Sequence, residues 1–142
     1  MVGDSISDLE FGWNANMNTL IHISDSSDES PFEAIKYQFQ LSAKSRGFHI
    51  ITNEVIQQIG ALPEKGMFHL FIKHTSAAIT INEDADESVR VDFENIFNQL
   101  VKEDEPYYTH TVEGSDDMPA HIKAAMIGNA ITIPITNHQL NL

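Results

Sequence analysis

From Ala34 to Ser42 apolar and polar residues alternate: Ile35, Tyr37, Phe39 and Leu41 fall on one face, Ala34, Lys36, Gln38, Gln40 and Ser42 on the other. A period of two is that of a half-buried strand. Arg46-Gly47 marks a turn and Phe48 to Ile51 is short and extended. Thr52 or Asn53 can then cap a helix carrying Val55, Ile56 and Ile59 up to Gly60, and Leu62-Pro63 ends it. Gly66 opens a second strand, with Phe68, Leu70 and Ile72 on one side and His74 following on that side, while His69, Phe71 and Lys73 point the other way. Thr75-Ser76 turns the chain and Ala78 to Ile81 extends again.

The period then changes. Asn82 can cap a helix starting near Glu83, whose first turn carries Glu83, Asp84 and Asp86, the sign that the helix dipole favours. Val89, Phe93, Ile96, Phe97, Leu100 and Val101 form one apolar stripe at helical spacing, so Phe93 and Phe97 are expected in the core. After Lys102 to Glu105, the stretch PYYTHTVEGSDDMPAHIKA reads as strand, loop and helix: Tyr107 to Thr111 favour an extended chain, Gly114 permits a reversal, and Asp116 or Asp117 can cap a helix with Pro119 in its first turn. Gly128 stops that helix. Ile131, Ile133 and Ile135 alternate with Thr132, Pro134 and Thr136 in a last long strand, which Pro134 places at an edge or leaves with a free side there, and Asn137-His138 reads as a hairpin turn.

Composition narrows the class. The 142 residues are 42% hydrophobic, enough for one domain with its own core. Apolar runs reach about six residues, far short of the ~20 that a helix needs to cross a bilayer, and no signal peptide opens the chain, so a cytoplasmic location is the expectation. No cysteine is present, which excludes disulfides and thiolate metal sites. A net charge of −13 argues against nucleic acid as a partner.

Candidate chemistry gathers between His110 and His121. Two imidazoles bracket Glu113, Asp116 and Asp117 on a short loop that runs into a helix N-terminus, a mixture able to hold a divalent metal, an anion or a proton in transit. The alternative is structural: the aspartates as caps and the histidines as surface residues. His74, where a strand leaves the core, is the third imidazole. Together His74, His110 and His121 are candidate metal ligands, and with Asp117 candidate catalytic groups. Three histidines suit Zn²⁺, whereas Mg²⁺ prefers oxygen, so the metal stays open between the two.

Residues 1–24 stand apart. Gly3-Asp4 followed by Asp8, a short helix and the apolar Thr19-Leu20-Ile21 resemble the last acidic motif, GDxxxD, of the haloacid dehalogenase phosphatases. The resemblance makes Asp4 and Asp8 metal carboxylates of an inactive phosphatase remnant, since no nucleophilic aspartate precedes them. The acidic SDSSDESP run that follows gives a linker over 25–32.

The blocks KHTSAAITINEDAD, DFENIFNQLV, THTVEGSDDMPAHIKAAMIG and ITIPITNHQL closely resemble the YjbQ-like family, the secondary thiamine-phosphate synthases, over residues 33–142. The resemblance implies an α+β domain, a mixed, sandwich-like set of strands with two to three helices, assembled as a homotrimer. It also implies a weak ability to join a pyrimidine diphosphate to a thiazole phosphate with release of pyrophosphate. A small phosphorylated substrate would then meet Lys73, Thr75, Ser76, Glu113 and Lys123. Family members continue into a Gly-Thr-Trp-Gln segment, so the sheet is expected to be incomplete at Leu142. A non-catalytic trimeric metal- or ligand-binding module, and a fragment of a phosphatase fusion, are the other readings.

Overall fold

Residues 4–10, 18–25 and 34–142 are described by the computed structural model, with side chains from residue 35 onward. Along the chain come β1 (Asp4–Glu10), β2 (Asn18–Asp25), β3 (Ala34–Gln40), β4 (Gly47–Ile50), α1 (Thr52–Gln58), β5 (Lys65–Ile72), β6 (Ala77–Glu83), α2 (Glu87–Leu100), α3 (Asp117–Ile127), β7 (Ala130–Thr136) and β8 (Gln139–Leu140). They form an α+β fold of two sheets, ordered β4-β1-β6 and β3-β2-β5-β7-β8. Every described pairing is antiparallel, in place of the mixed set that the family resemblance implies.

Alternation fixes how the layers stack. In β5, Phe68, Leu70 and Ile72 are fully buried and meet Ile133 and Ile135 of β7. Opposite them lie Ala77 and Ile79 of β6, with Leu41, Ile51 and Val55 completing the main core. Burying each large aliphatic side chain contributes roughly 1.5–3 kcal/mol, so this cluster supplies most of the drive to fold. Ala78, between two inward residues of β6, faces the other way and packs with Ala120 and Ala124 of α3, Phe48 of β4 and Phe97 of α2. Three alanines at one contact let α3 lie close on the strand. Beyond α3, Gly128 takes φ 100°, and the chain there bridges the two sheets: Ile79 N–H donates to Gly128 O at 3.0 Å and Ile72 N–H to Asn129 O at 2.8 Å.

Several expectations move. The third strand of the core runs on to Glu83, and α2 starts at Glu87 with Asp86 as its cap, accepting from Ser88 N–H at 2.8 Å. Asn82 does not cap a helix; its Oδ1 accepts from Glu83 N–H at 2.8 Å. No side-chain bond caps α1, which follows Ile51. Tyr107 falls in a turn and Tyr108 to Thr111 have no regular secondary structure in place of the expected strand, and the two tyrosine rings pack edge-on with centroids 5.1 Å apart. No residue of α2 is fully buried. Phe97 is half-buried in the smaller core, but Phe93 is exposed although it stacks on Phe97, and Ile96 and Leu100 are 53% and 64% exposed. As expected, β7 follows Gly128, and Asn137 and His138 make the hairpin turn at φ 51° and 61°.

The N-terminal segments differ most from expectation. Residues 4–10 are one uninterrupted strand between β4 and β6, and residues 18–25 a strand between β3 and β5. Both belong to the sheets that carry the rest of the fold. On such a strand Asp4 and Asp8 sit roughly 13 Å apart at ~3.3 Å per residue, too far to share an ion, so the GDxxxD reading has no structural support. The short helix expected between them and Asn18 lies outside the described residues, as does the linker expected over 25–32 except for Asp25, which ends β2.

Candidate metal centre

Helix periodicity sets up the site. Asp117 and His121 are four residues apart at the start of α3, hence on one face, and Asp117 Oδ2 lies 3.3 Å from His121 Nε2. The turn-rich loop before α3 brings His110 to the same oxygen, with Nε2 at 2.7 Å. The two imidazoles are tilted by 52° with centroids 5.5 Å apart. One ligand atom from each of His110, Asp117 and His121 falls within 4.8 Å of the others. The Asp117 carboxylate is only 16% exposed, while Glu113, 3.5 Å from His110 Nε2, stands out in solvent.

The turn between β5 and β6 supports this group from below. His121 Nδ1 meets Thr75 O at 3.1 Å and Ser76 Oγ at 3.3 Å, and Ser76 is buried. Ser76 N–H donates to His74 Nδ1 at 3.0 Å. Burial holds the His74 pKa below its ordinary value; His121 adds to the depression and Asp117 opposes it, so the ring lies within electrostatic reach of both.

The donor set can be tested against a metal. Two imidazole nitrogens and a carboxylate oxygen form a three-ligand set of the kind that leaves further positions open on Zn²⁺ or another borderline divalent ion, and fit Mg²⁺ poorly. Tetrahedral ligands at 2.0–2.1 Å stand roughly 3.3–3.4 Å apart. The His121–Asp117 separation of 3.3 Å already matches this, and the His110–Asp117 pair at 2.7 Å needs a shift of several tenths of an ångström. The residues therefore fit such an ion. Without one, a proton must sit between each nitrogen and the shared oxygen, since lone pairs otherwise face each other.

A family model described as UPF0047 protein YjbQ-like matches residues 37–142. The chain belongs to that family. UPF0047 protein YjbQ of Escherichia coli O157:H7 is 46% identical over 97 residues, covering 67% of this chain and 70% of that protein. The Salmonella typhimurium UPF0047 protein YjbQ is 44% identical over 104 residues, covering 72% and 75%. A UPF0047 protein of Methanocaldococcus jannaschii is 36% identical over 101 residues, covering 70% of each chain.

In this UPF0047 chain the histidines expected to converge do so unequally. His110 and His121 share Asp117, whereas His74 lies beside them outside the trio of close ligand atoms. Thr75 and Ser76 act on His121 through hydrogen bonds, Lys73 is exposed, and Glu113 neighbours His110. Lys123 is elsewhere: it is 1% exposed and its Nζ donates to Asn98 Oδ1 at 2.7 Å. Sequence reasoning missed the cavity of ≈ 240 Å³ beside His110, lined by Asp104, Glu105, Tyr108, Thr111, Gly114 and Ser115. Its shape depends on irregular backbone between residues 104 and 115, including Asp104 at φ 55°, which no local pattern announces. Burial raises the Tyr108 pKa, with Tyr107 and Glu105 adding to it, so this phenol stays protonated.

Proposed function

We propose that this UPF0047 protein binds a divalent cation, best Zn²⁺, through His110, Asp117 and His121, and acts there on a small phosphorylated substrate as a weak thiamine-phosphate synthase-like transferase. The observation that supports the reading is the single Asp117 oxygen within 3.3 Å of two imidazole Nε2 atoms. Joining a pyrimidine diphosphate to a thiazole phosphate forms a bond from the thiazole nitrogen to the pyrimidine methylene carbon. The bond from that carbon to the diphosphate oxygen breaks, and pyrophosphate leaves with the electron pair. A bound cation would supply charge stabilisation for that departing group. The chain's own residues would orient the ligand: the polar cavity beside His110 gives room for a ring, and the hydroxyls of Tyr108, Thr111 and Ser115 give it hydrogen-bonding partners. The exposed row on α2 supports association with further copies, with the trimer as the proposed state.

Metal analysis after dialysis against limiting zinc, paired with an assay of thiamine phosphate formation, tests the reading. The expected result is one zinc per chain and slow turnover, both lost in His110→Ala and His121→Ala. Turnover that survives both substitutions would remove the site from the reaction. Stoichiometric zinc with no turnover on these substrates would favour the binding-module reading, which rests on the same cluster.

A further inference from the structure

We propose that the Thr75–Ser76 turn sets His74 and His121 in opposite neutral tautomers, so that His121 offers a bare Nε2 to the cation while His74 presents an Nε2–H that donates to a phosphate oxygen of the bound ligand. The tautomers rest on hydrogen bonds alone; the roles toward the cation and the phosphate rest on the function proposed above.

The assignment comes from groups whose roles cannot be exchanged. A backbone carbonyl only accepts, so His121 Nδ1, 3.1 Å from Thr75 O, is the protonated nitrogen. Ser76 Oγ at 3.3 Å offers that N–H a second acceptor. With Nδ1 protonated, Nε2 is the atom left to ligate, and it lies 3.3 Å from Asp117 Oδ2, where a cation would replace the proton shared in the metal-free protein. A backbone N–H only donates, so His74 Nδ1, 3.0 Å from Ser76 N, is bare and its neutral ring carries the proton on Nε2. An Nε2–H cannot ligate a metal. His74 therefore leaves the set of metal ligands in which sequence reasoning places it, in keeping with its position outside the trio of close ligand atoms.

Two consecutive residues thus divide the labour of two imidazoles. Metal-bound histidines are commonly oriented by a carbonyl on their second nitrogen, and Thr75 does this for His121. The mirror arrangement on His74 makes a neutral hydrogen-bond donor within electrostatic reach of His121 and Asp117, the group needed by an anionic oxygen brought there. His74 is a substrate-binding residue in this scheme and Ser76 a positioning residue.

Long-range ¹H–¹⁵N correlation spectra of histidine-labelled protein, recorded metal-free and with zinc, decide the tautomers. The expected result is Nε2–H for His74 in both states and, with zinc bound, Nδ1–H with a bare Nε2 for His121; Nδ1–H on His74 in either state, or a protonated Nε2 on zinc-bound His121, would overturn the assignment. The donor role is read by titrating zinc-loaded protein with inorganic phosphate. His74→Phe should keep its zinc and lose about tenfold or more in phosphate affinity, the size expected for a hydrogen bond to a charged group, and His74→Gln, which retains an N–H, should recover most of it. Loss of zinc in His74→Phe, unchanged phosphate affinity, or no phosphate binding by the zinc-loaded wild type would each overturn the donor role. If His74→Phe fails to fold, the spectra of the wild type and the phosphate affinity of His74→Gln still decide both halves.

Discussion

Lys123 Nζ, buried on α3, donates to Asn98 Oδ1 on α2 at 2.7 Å. Arg46 Nη2 donates to the same oxygen at 2.7 Å, and Arg46 is also paired with Glu103. One amide carbonyl therefore ties two helices and the turn before β4 through two cations. Asn98→Leu removes the shared acceptor while keeping the volume. Hydrogen bonds to charged groups contribute roughly 1.5–3 kcal/mol each, so a loss of about 2–4 kcal/mol is expected in urea denaturation. A change below about 0.5 kcal/mol, the range of an ordinary surface substitution, would show that the amide does not hold the helices.

The same lysine gives stability a dependence on pH. Burial, with Arg46 adding to it and Glu103 and Glu94 partly offsetting it, lowers the Lys123 pKa to about 8. The folded state then binds fewer protons than the unfolded chain between about pH 8 and the ordinary lysine value near 10.4. With the unfolded state holding the extra proton, unfolding free energy gains a positive slope with pH across that window. Below pH 8 the penalty is present in full, of order 3 kcal/mol at most; it is relieved as pH rises. Lys123→Met should remove that slope from urea midpoints taken between pH 7.5 and 10.5, measured against the wild type. An identical slope in both proteins would count against the lowered pKa.

Much of this fold was legible from local pattern, and the failures share a cause. Phe68, Leu70 and Ile72 alternate in the sequence and do so in β5, because one face of that strand is buried. The Asp117–His121 pair was equally legible, since helical spacing alone places both on one face. Tyr107 to Thr111 have strand-forming side chains, but no strand among the described residues pairs with them, so tertiary context overrides their propensity. The start of α2 was misplaced because Asn82 and Asp86 are both good caps, and pairing of β6 with β1 as far as Glu83 selects the later one. The tautomers of His74 and His121 depend on a turn that meets α3 only in three dimensions, and nothing in residue spacing encodes that meeting.

Gly128 offers a test of backbone conformation free of packing. It sits at φ 100° and ψ 164°, a region that side chains rarely enter, yet a Cβ there would meet no atom of the described residues within 4 Å. Gly128→Ala should therefore cost about 1–3 kcal/mol from the backbone alone. The change should also raise amide exchange at Ile79 and Ile72, whose N–H groups are held by Gly128 O and Asn129 O. Wild-type stability together with unchanged exchange at these two amides would contradict the conformation.

The apolar row on α2 predicts association. Phe93, Ile96 and Leu100 follow one another at spacings of three and four on one side of the helix, and all three are exposed in the single chain. Ile96→Glu with Leu100→Glu places two charges on that row without touching either core cluster. If the row is an interface, light scattering after size exclusion should give a multiple of 15.9 kDa for the wild type and a smaller species for the double variant. Equal masses would release α2 from that role.

Asp117→Asn separates a metal site from a mere helix start. The substitution keeps the shape of the side chain but removes the charge on the oxygen that lies 2.7 Å from His110 Nε2 and 3.3 Å from His121 Nε2. An ion that binds only the folded protein stabilises it by about 2.7 kcal/mol at a hundred times its dissociation constant. Zinc should raise the melting temperature of the wild type and leave that of Asp117→Asn where it was. Each shift is read against that protein's own metal-free melting temperature, because the 16% exposed carboxylate also contacts both imidazoles without an ion. Glu113→Gln is the control: Glu113 is 3.5 Å from His110 Nε2 but 67% exposed, so its loss should leave the zinc-induced shift intact. Equal shifts in wild type and Asp117→Asn would mean that zinc stabilises the protein from elsewhere, and the trio would then be a proton-sharing cluster at the start of α3.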